Sequence, residues 1–161
     1  MDEEIEELYL SAVQELKRID HIIFVTLKYT RTVDVLKSII LRMIAMIDFV
    51  LDLILESYKF KGDIDSYQAS PGLKVDQIRQ LTEDDNISQM LDFYLMLRRA
   101  SRAEYTTINE YKRHVGMVME KPDGSELIIN IDTVTEFYYD LKKYLEYVYH
   151  FVFDEKDKSD D

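Results

Sequence analysis

The chain has 161 residues, 47% hydrophobic and 32% charged, with 4 Gly and 2 Pro, a balance that excludes a disordered or loop-rich chain and predicts one mainly helical domain. Twenty Lys and Arg against 32 Asp and Glu leave a net charge of −12, which repels phosphate backbones over the molecule as a whole. The absence of Cys excludes disulfide frameworks, thiolate zinc sites and cysteine nucleophiles together.

From Asp2 to about Lys28, Ile5, Leu8, Ala12, Leu16, Ile19 and Ile23 recur at helical spacing, and Glu3, Glu4, Glu6 and Glu7 sit where a helix amino terminus favours negative charge. Thr32 can cap a second helix to about Tyr58, with Val33, Leu36, Ile40, Met43, Ile47, Val50, Ile54 and Leu55 as its core face. The two are expected to form an antiparallel hairpin. On a helical wheel Asp34, Ser38, Arg42, Ala45, Asp48, Asp52, Glu56 and Lys59 gather in one polar stripe, so the second helix reads as central and wet along one edge.

Residues 60–72 read as a loop. Leu73, Val75, Ile78 and Leu81 predict a short helix. Thr82 and Asp85 are cap candidates for a third long helix from about Asn86 to Arg102, with Ile87, Met90, Leu91, Tyr94 and Leu97 inward. After Ala103 the period changes to alternation: Val115, Met117 and Met119 face Leu127, Ile129 and Ile131 across Lys121-Pro122-Asp123-Gly124, a β-hairpin over about 111–131. Thr133-Val134-Thr135-Glu136 reads as a capping box that opens a last helix to about Phe153. Phe137, Leu141, Tyr144, Leu145, Val148 and Phe151 then point inward. The expected fold is a mainly α, four-helix up-and-down bundle spanning 1–153, with the hairpin inserted before the last helix and an acidic disordered tail over 154–161.

The start Met1-Asp2-Glu3-Glu4 lacks the basic region of a signal peptide, and the most apolar stretch, Ile39 to Leu55, is broken by Arg42, Asp48 and Asp52. A soluble, cytoplasmic protein without membrane contact is expected.

Charge is unevenly spread. From Arg98 to His114 five basic residues face two acidic ones, so this window carries +3 and the remainder −15. Arg98, Arg99 and Arg102 share one arc of the third helix, and Lys112, Arg113 and His114 follow before the hairpin, so the two groups could converge on one anion. Tyr105 and Tyr111 add possible stacking partners. The plainer explanation is that the arginines stabilise a helix carboxyl end and pair with the acidic remainder.

His21, His114 and His150 are the acid/base candidates, and none has a convincing partner. Asp48 and Asp52 stand one turn apart, but ion pairs at a surface or a subunit interface explain them more simply. The Tyr-rich last helix, with five Tyr between Tyr138 and Tyr149, reads as core edge or subunit interface. Dinucleotide, NTPase, metalloprotease and hydrolase motifs are missing, and no cofactor or metal ligand set is assigned.

A long helical hairpin, a third helix ending in Leu97-Arg98-Arg99-Ala100-Ser101-Arg102-Ala103-Glu104-Tyr105 and a last helix together resemble the HEPN superfamily of nucleotide-binding helical bundles. The resemblance covers roughly residues 2–153. In ribonuclease members an Arg is followed four to six residues later by a catalytic His. From Arg99 or Arg102 those windows hold no His here, so the resemblance implies a member without the ribonuclease dyad. It also implies a homodimer.

The functional expectation is a non-catalytic interaction or regulatory module that binds a partner protein or an anionic ligand, nucleotide or RNA, through Arg98, Arg99, Arg102, Lys112, Arg113 and His114. The alternatives are a ribonuclease or nucleotide-modifying enzyme with His114 as general acid/base, and a purely structural subunit.

Overall fold

Asp2 opens the first helix by accepting the amide hydrogen of Glu4 at 3.0 Å. The computed structural model describes residues 2–154. Helix α1 (Glu3–His21) runs into a π-helical turn (Ile22–Thr26) and one further turn (Leu27–Tyr29). Inward residues spaced strictly by four drift off a straight helix face. The wider π turn resets the phase, so that Ile19, Ile23 and Leu27 are all buried.

Helix α2 (Val33–Lys61) begins under Thr32, whose hydroxyl accepts from the amide of Val35. It ends at Gly62, where a φ of 86° is open to glycine at no steric cost. All eight expected core residues of this helix are buried, and it packs against every other long helix. Close approach of Asp2 and Glu4 to Glu56 sets the start of α1 beside the end of α2, the antiparallel hairpin read from the sequence.

Helix α3 (Pro71–Leu81) is the short helix expected there; it places Val75 and Ile78 in the core and leaves Leu73 half exposed. Helix α4 (Asp85–Arg102) buries the whole predicted face. Its cap is neither Thr82 nor Asp85 but Asp84, which accepts from Ile87 at 3.0 Å while Thr82 braces the Asp84 amide.

The hairpin has the expected register: Met117 opposes Ile129 and Met119 opposes Leu127 between β2 (Gly116–Glu120) and β3 (Glu126–Asn130). Gly124 takes φ 87° in its turn. The alternation missed β1 (Thr106–Ile108), which adds to β2 and makes a three-stranded antiparallel sheet in the order β1-β2-β3. Its three residues are all exposed, so no inward-outward pattern marks them. Val115, Met117, Met119 and Ile129 close the sheet onto the helices.

Helix α5 (Ile131–Tyr149) starts three residues earlier than a cap at Thr133 would place it. Asn130, not Thr133, is its cap, and the Thr133 hydroxyl instead donates to the carbonyl of Ile128. A π-helical turn (His150–Asp154) closes the described chain, so Asp154, expected in the tail, is helical. The remainder of that expected tail, residues 155–161, lies outside the described residues. The aromatic rings of α5 are shared with its neighbours: Phe137 meets Phe93 at 5.2 Å and Tyr138 meets Phe24 at 5.6 Å. Their hydroxyls find carboxylates, Tyr138 donating to Asp20 and Tyr147 to Asp84. The result is a mainly helical domain with a small sheet. Among the described residues, no helix is long and apolar enough to cross a membrane.

Candidate functional site

The six basic residues singled out in the sequence fall into separate places. Arg113 and His114 line a cavity of about 230 Å³ together with Lys28 from the Leu27–Tyr29 turn, Arg31 from the connection to α2, and Asn130, Ile131 and Asp132 at the start of α5. Arg102 lines a different cavity, of about 250 Å³, between α2, the end of α4 and the sheet. Arg98 lies over the Tyr94 ring at 5.7 Å. Arg99 and Lys112 are exposed and line neither of these cavities.

Two contacts assemble the cavity of Arg113 and His114 from distant segments. The amide of Tyr111 donates to the carbonyl of Arg31 at 2.8 Å, and the amide of Val33 donates to Glu110 Oε1 at 3.2 Å. Together they fasten the 109–114 loop to the α1–α2 turn. Asn109 and Tyr111 hold positive φ values of 54° and 67°, conformations that non-glycine residues adopt only when their surroundings over-determine them. The Asn109 side chain closes the loop by donating to the carbonyl of His114 at 3.2 Å.

Lys28, Arg31, Arg113 and His114 make no ion pair among the described residues. In a chain of net charge −12, three cations without an ion-pair partner among the described residues, Lys28, Arg31 and Arg113, concentrate positive potential at one cavity. The first turn of α5 adds the positive end of its dipole, partly offset by Asp132. Tyr29, which ends the Leu27–Tyr29 turn, and Tyr111, in the 109–114 loop, are 85% and 78% exposed but line no part of this cavity. Unpaired cations beside a helix amino terminus suit a phosphate-bearing ligand.

Lys28 and Arg31 were not singled out in the sequence. Arg31 stands just before the Thr32 cap, but the Tyr111 amide that its carbonyl accepts lies about eighty positions along the chain, and only the fold brings the two together.

The polar stripe of α2 behaves differently along its length. Asp34, Ser38 and Arg42 are exposed, as expected, whereas Asp48 and Asp52 are half buried and Glu56 is buried. Lys74 Nζ bonds Asp52 at 2.5 Å, and the Tyr94 hydroxyl donates to Asp48 at 2.5 Å. Burial pushes the Asp48 carboxyl above its ordinary value, opposed by the Tyr94 bond and by Arg98 and Lys74 nearby. These carboxylates are therefore paired within the chain rather than at a free surface.

Asp2, Glu4 and Glu56 bring carboxylate oxygens within 4.8 Å of one another, the one group among the described residues with the reach to share a cation. Each of two members already has a task, since Asp2 caps α1 and Glu56 accepts the Tyr67 hydroxyl. His150 bonds Asp154 at 2.6 Å on an exposed face, and His21 is exposed.

Compared with known proteins, the chain matches no family model, no curated protein and no solved structure.

Proposed function

We propose that this chain is a non-catalytic, HEPN-like interaction module that holds a phosphate-bearing ligand, a nucleotide or a stretch of RNA, in the cavity of Lys28, Arg31, Arg113 and His114. The observation that carries the reading is the convergence there of four basic side chains, none in an ion pair among the described residues. The layout of long hairpin, Arg-ended helix and last helix supports the HEPN-like assignment. The proposal includes a cytoplasmic homodimer. Leu10 and Leu41, 61% and 57% exposed on the α1–α2 hairpin, offer apolar surface for self-association.

Native mass spectrometry at low ionic strength with added adenosine 5′-monophosphate tests the reading. The expected result is a dimer that retains the nucleotide. Arg31→Ala with Arg113→Ala lowers retention about tenfold, the scale of losing charge-assisted bonds, while Arg98→Ala with Arg99→Ala leaves it unchanged. A nucleotide-free protein, or retention indifferent to Arg31 and Arg113, overturns the site. A ligand-free monomer overturns the homodimer as well.

A second reading rests on His114 sharing the cavity with two arginines. In it the protein cleaves RNA, His114 acting as general acid/base and Arg113 stabilising phosphate charge. His114→Ala should then abolish cleavage, and cleavage that persists removes this reading.

A further inference from the structure

The second cavity has a different chemistry from the first. Its floor is hydrocarbon: Ile40, Met117 and Ile129 are 2%, 3% and 0% exposed. Ala100, at the end of α4, is the small residue that leaves room above them. Its mouth is cationic. Lys37 Nζ stands 3.4 Å from the Tyr105 hydroxyl and 5.0 Å from the centre of that ring, and Arg102 lines the same cavity.

Arg102 donates through Nε to the carbonyl of Arg98 at 3.3 Å, which orients the guanidinium and leaves its two terminal nitrogens for another acceptor. Neither Lys37 nor Arg102 forms an ion pair among the described residues, although Asp34 shares a neighbouring depression with Lys37. The Ser101 hydroxyl donates to the carbonyl of Arg98 and the Tyr105 hydroxyl accepts from Lys37, so what the wall still offers is donors, the Tyr105 O–H and the remaining N–H groups of Lys37 and Arg102, which suit an anionic acceptor. What the lining offers is an apolar slot with two cations at its entrance.

We propose that this cavity binds a small amphipathic carboxylate, its hydrocarbon body seated on Ile40, Met117 and Ile129 and its anionic end held by Lys37 and Arg102. A volume of about 250 Å³ lies just under the roughly 300–1,000 Å³ of sites for drug-sized ligands, so the body is an aryl or a short acyl group. The charge complementarity is specific to a single anionic end. A polyphosphate would leave its remaining charge facing apolar walls, and an uncharged hydrocarbon would leave both cations unanswered. The inference is independent of the nucleotide reading, because the two cavities share no lining residue.

The test is a methyl-detected NMR titration of the full chain with 3-phenylpropanoate, and with 3-phenylpropan-1-ol as the uncharged counterpart. The acid should shift the methyl signals of Ile40, Met117 and Ile129 and bind about tenfold more tightly than the alcohol. Lys37→Gln with Arg102→Gln should remove that advantage while leaving the alcohol's affinity unchanged. Filling the slot with Ala100→Leu should abolish binding of both. If that variant unfolds, Ala103→Leu, at the edge of the same cavity, should weaken both compounds instead.

The proposal is overturned by any of three results: no shift at those methyls, equal affinity for acid and alcohol, or undiminished binding in the filled variants. Acid binding that is lost in Arg31→Ala with Arg113→Ala overturns it too, because that would place the acid in the other cavity. Failure of adenosine 5′-monophosphate to bind leaves the outcome here untouched.

Discussion

The two halves of the α2 polar stripe have nearly the same pattern in sequence and opposite fates in the fold. In the amino-terminal half, Asp34, Ser38 and Arg42 remain in water. In the carboxyl-terminal half, α3 and the preceding loop fold back over Asp48, Asp52 and Glu56 and supply Lys74 and Tyr67, while α4 supplies Tyr94. Lys74 also lies over the Tyr67 ring at 5.9 Å, so cation, ring and carboxylates form one covered layer. A helical wheel reports which residues share an edge, whereas what covers that edge depends on segments remote in sequence. Half-buried carboxylates depend on their partners for stability far more than exposed ones do.

The largest test of this contrast removes the cover itself. Tyr94 is 0% exposed, and Tyr94→Ala takes away a full aromatic side chain together with the hydroxyl that serves Asp48. The expected loss is about 3–5 kcal/mol by chemical denaturation, from cavity formation and an unpaired carboxylate. Lys74→Met is smaller. The Lys74 and Asp52 side chains are only 17% and 28% exposed, so an uncompensated Asp52 should lower stability by about 1–3 kcal/mol. Adding Asp52→Asn should recover most of that loss, and a double variant no better than Lys74→Met would show that the pair is not coupled.

How far the sequence foretold these regions follows from the range of the interactions that shape them. Helices α1, α2 and α4 were legible because their signals are local: periodic apolar residues, the Thr32 cap, and the Pro122 and Gly124 turn of the hairpin. Caps were readable only within a few residues, since Asp84 competes with Thr82 and Asp85, and Asn130 with Thr133, for the same role. Strand β1 was invisible because all three residues are exposed and the pairing with β2 is what defines it. At the candidate site, Arg113 and His114 were marked by charge, but Lys28 and Arg31 join them only through the Tyr111 to Arg31 hydrogen bond. The notion that Arg98, Arg99 and Arg102 converge with Lys112, Arg113 and His114 was a statement about sequence proximity. Strand β1 separates the two groups along the chain, and Arg102 and Arg113 line different cavities.

A third test sharpens the contrast through pH. Burial raises the Asp48 carboxyl above its ordinary value, so its protonation in the folded state stabilises the protein at low pH. That contribution is complete below the unfolded-state value and is lost as pH rises through the folded one. Asp48→Asn, which stays neutral at every pH, should therefore gain stability relative to the parent as pH climbs from the acid range towards neutrality. The expected difference is under about 1.4 kcal/mol for each unit of raised pKa, because residual solvent around this half-buried group weakens it. Urea midpoints measured across that range check the sign. A gap that shrinks with rising pH would mean that the Tyr94, Arg98 and Lys74 interactions outweigh desolvation.

The smallest expected effect belongs to the wet half. Arg42 reaches Glu15 at 3.5 Å, but its side chain is 45% exposed and Glu15 already holds Arg18 at 2.6 Å. Removing one of two partners leaves the buried Glu15 carboxylate compensated, and the lost pair is long and bathed in solvent. Arg42→Ala should accordingly change stability by no more than about 0.5 kcal/mol, a shift that falls further in high salt as the remaining attraction is screened. If Arg42→Ala proved as costly as Lys74→Met, cover would not be what distinguishes the two halves, and the Glu15 cluster would have to be counted with the sealed carboxylates of α2.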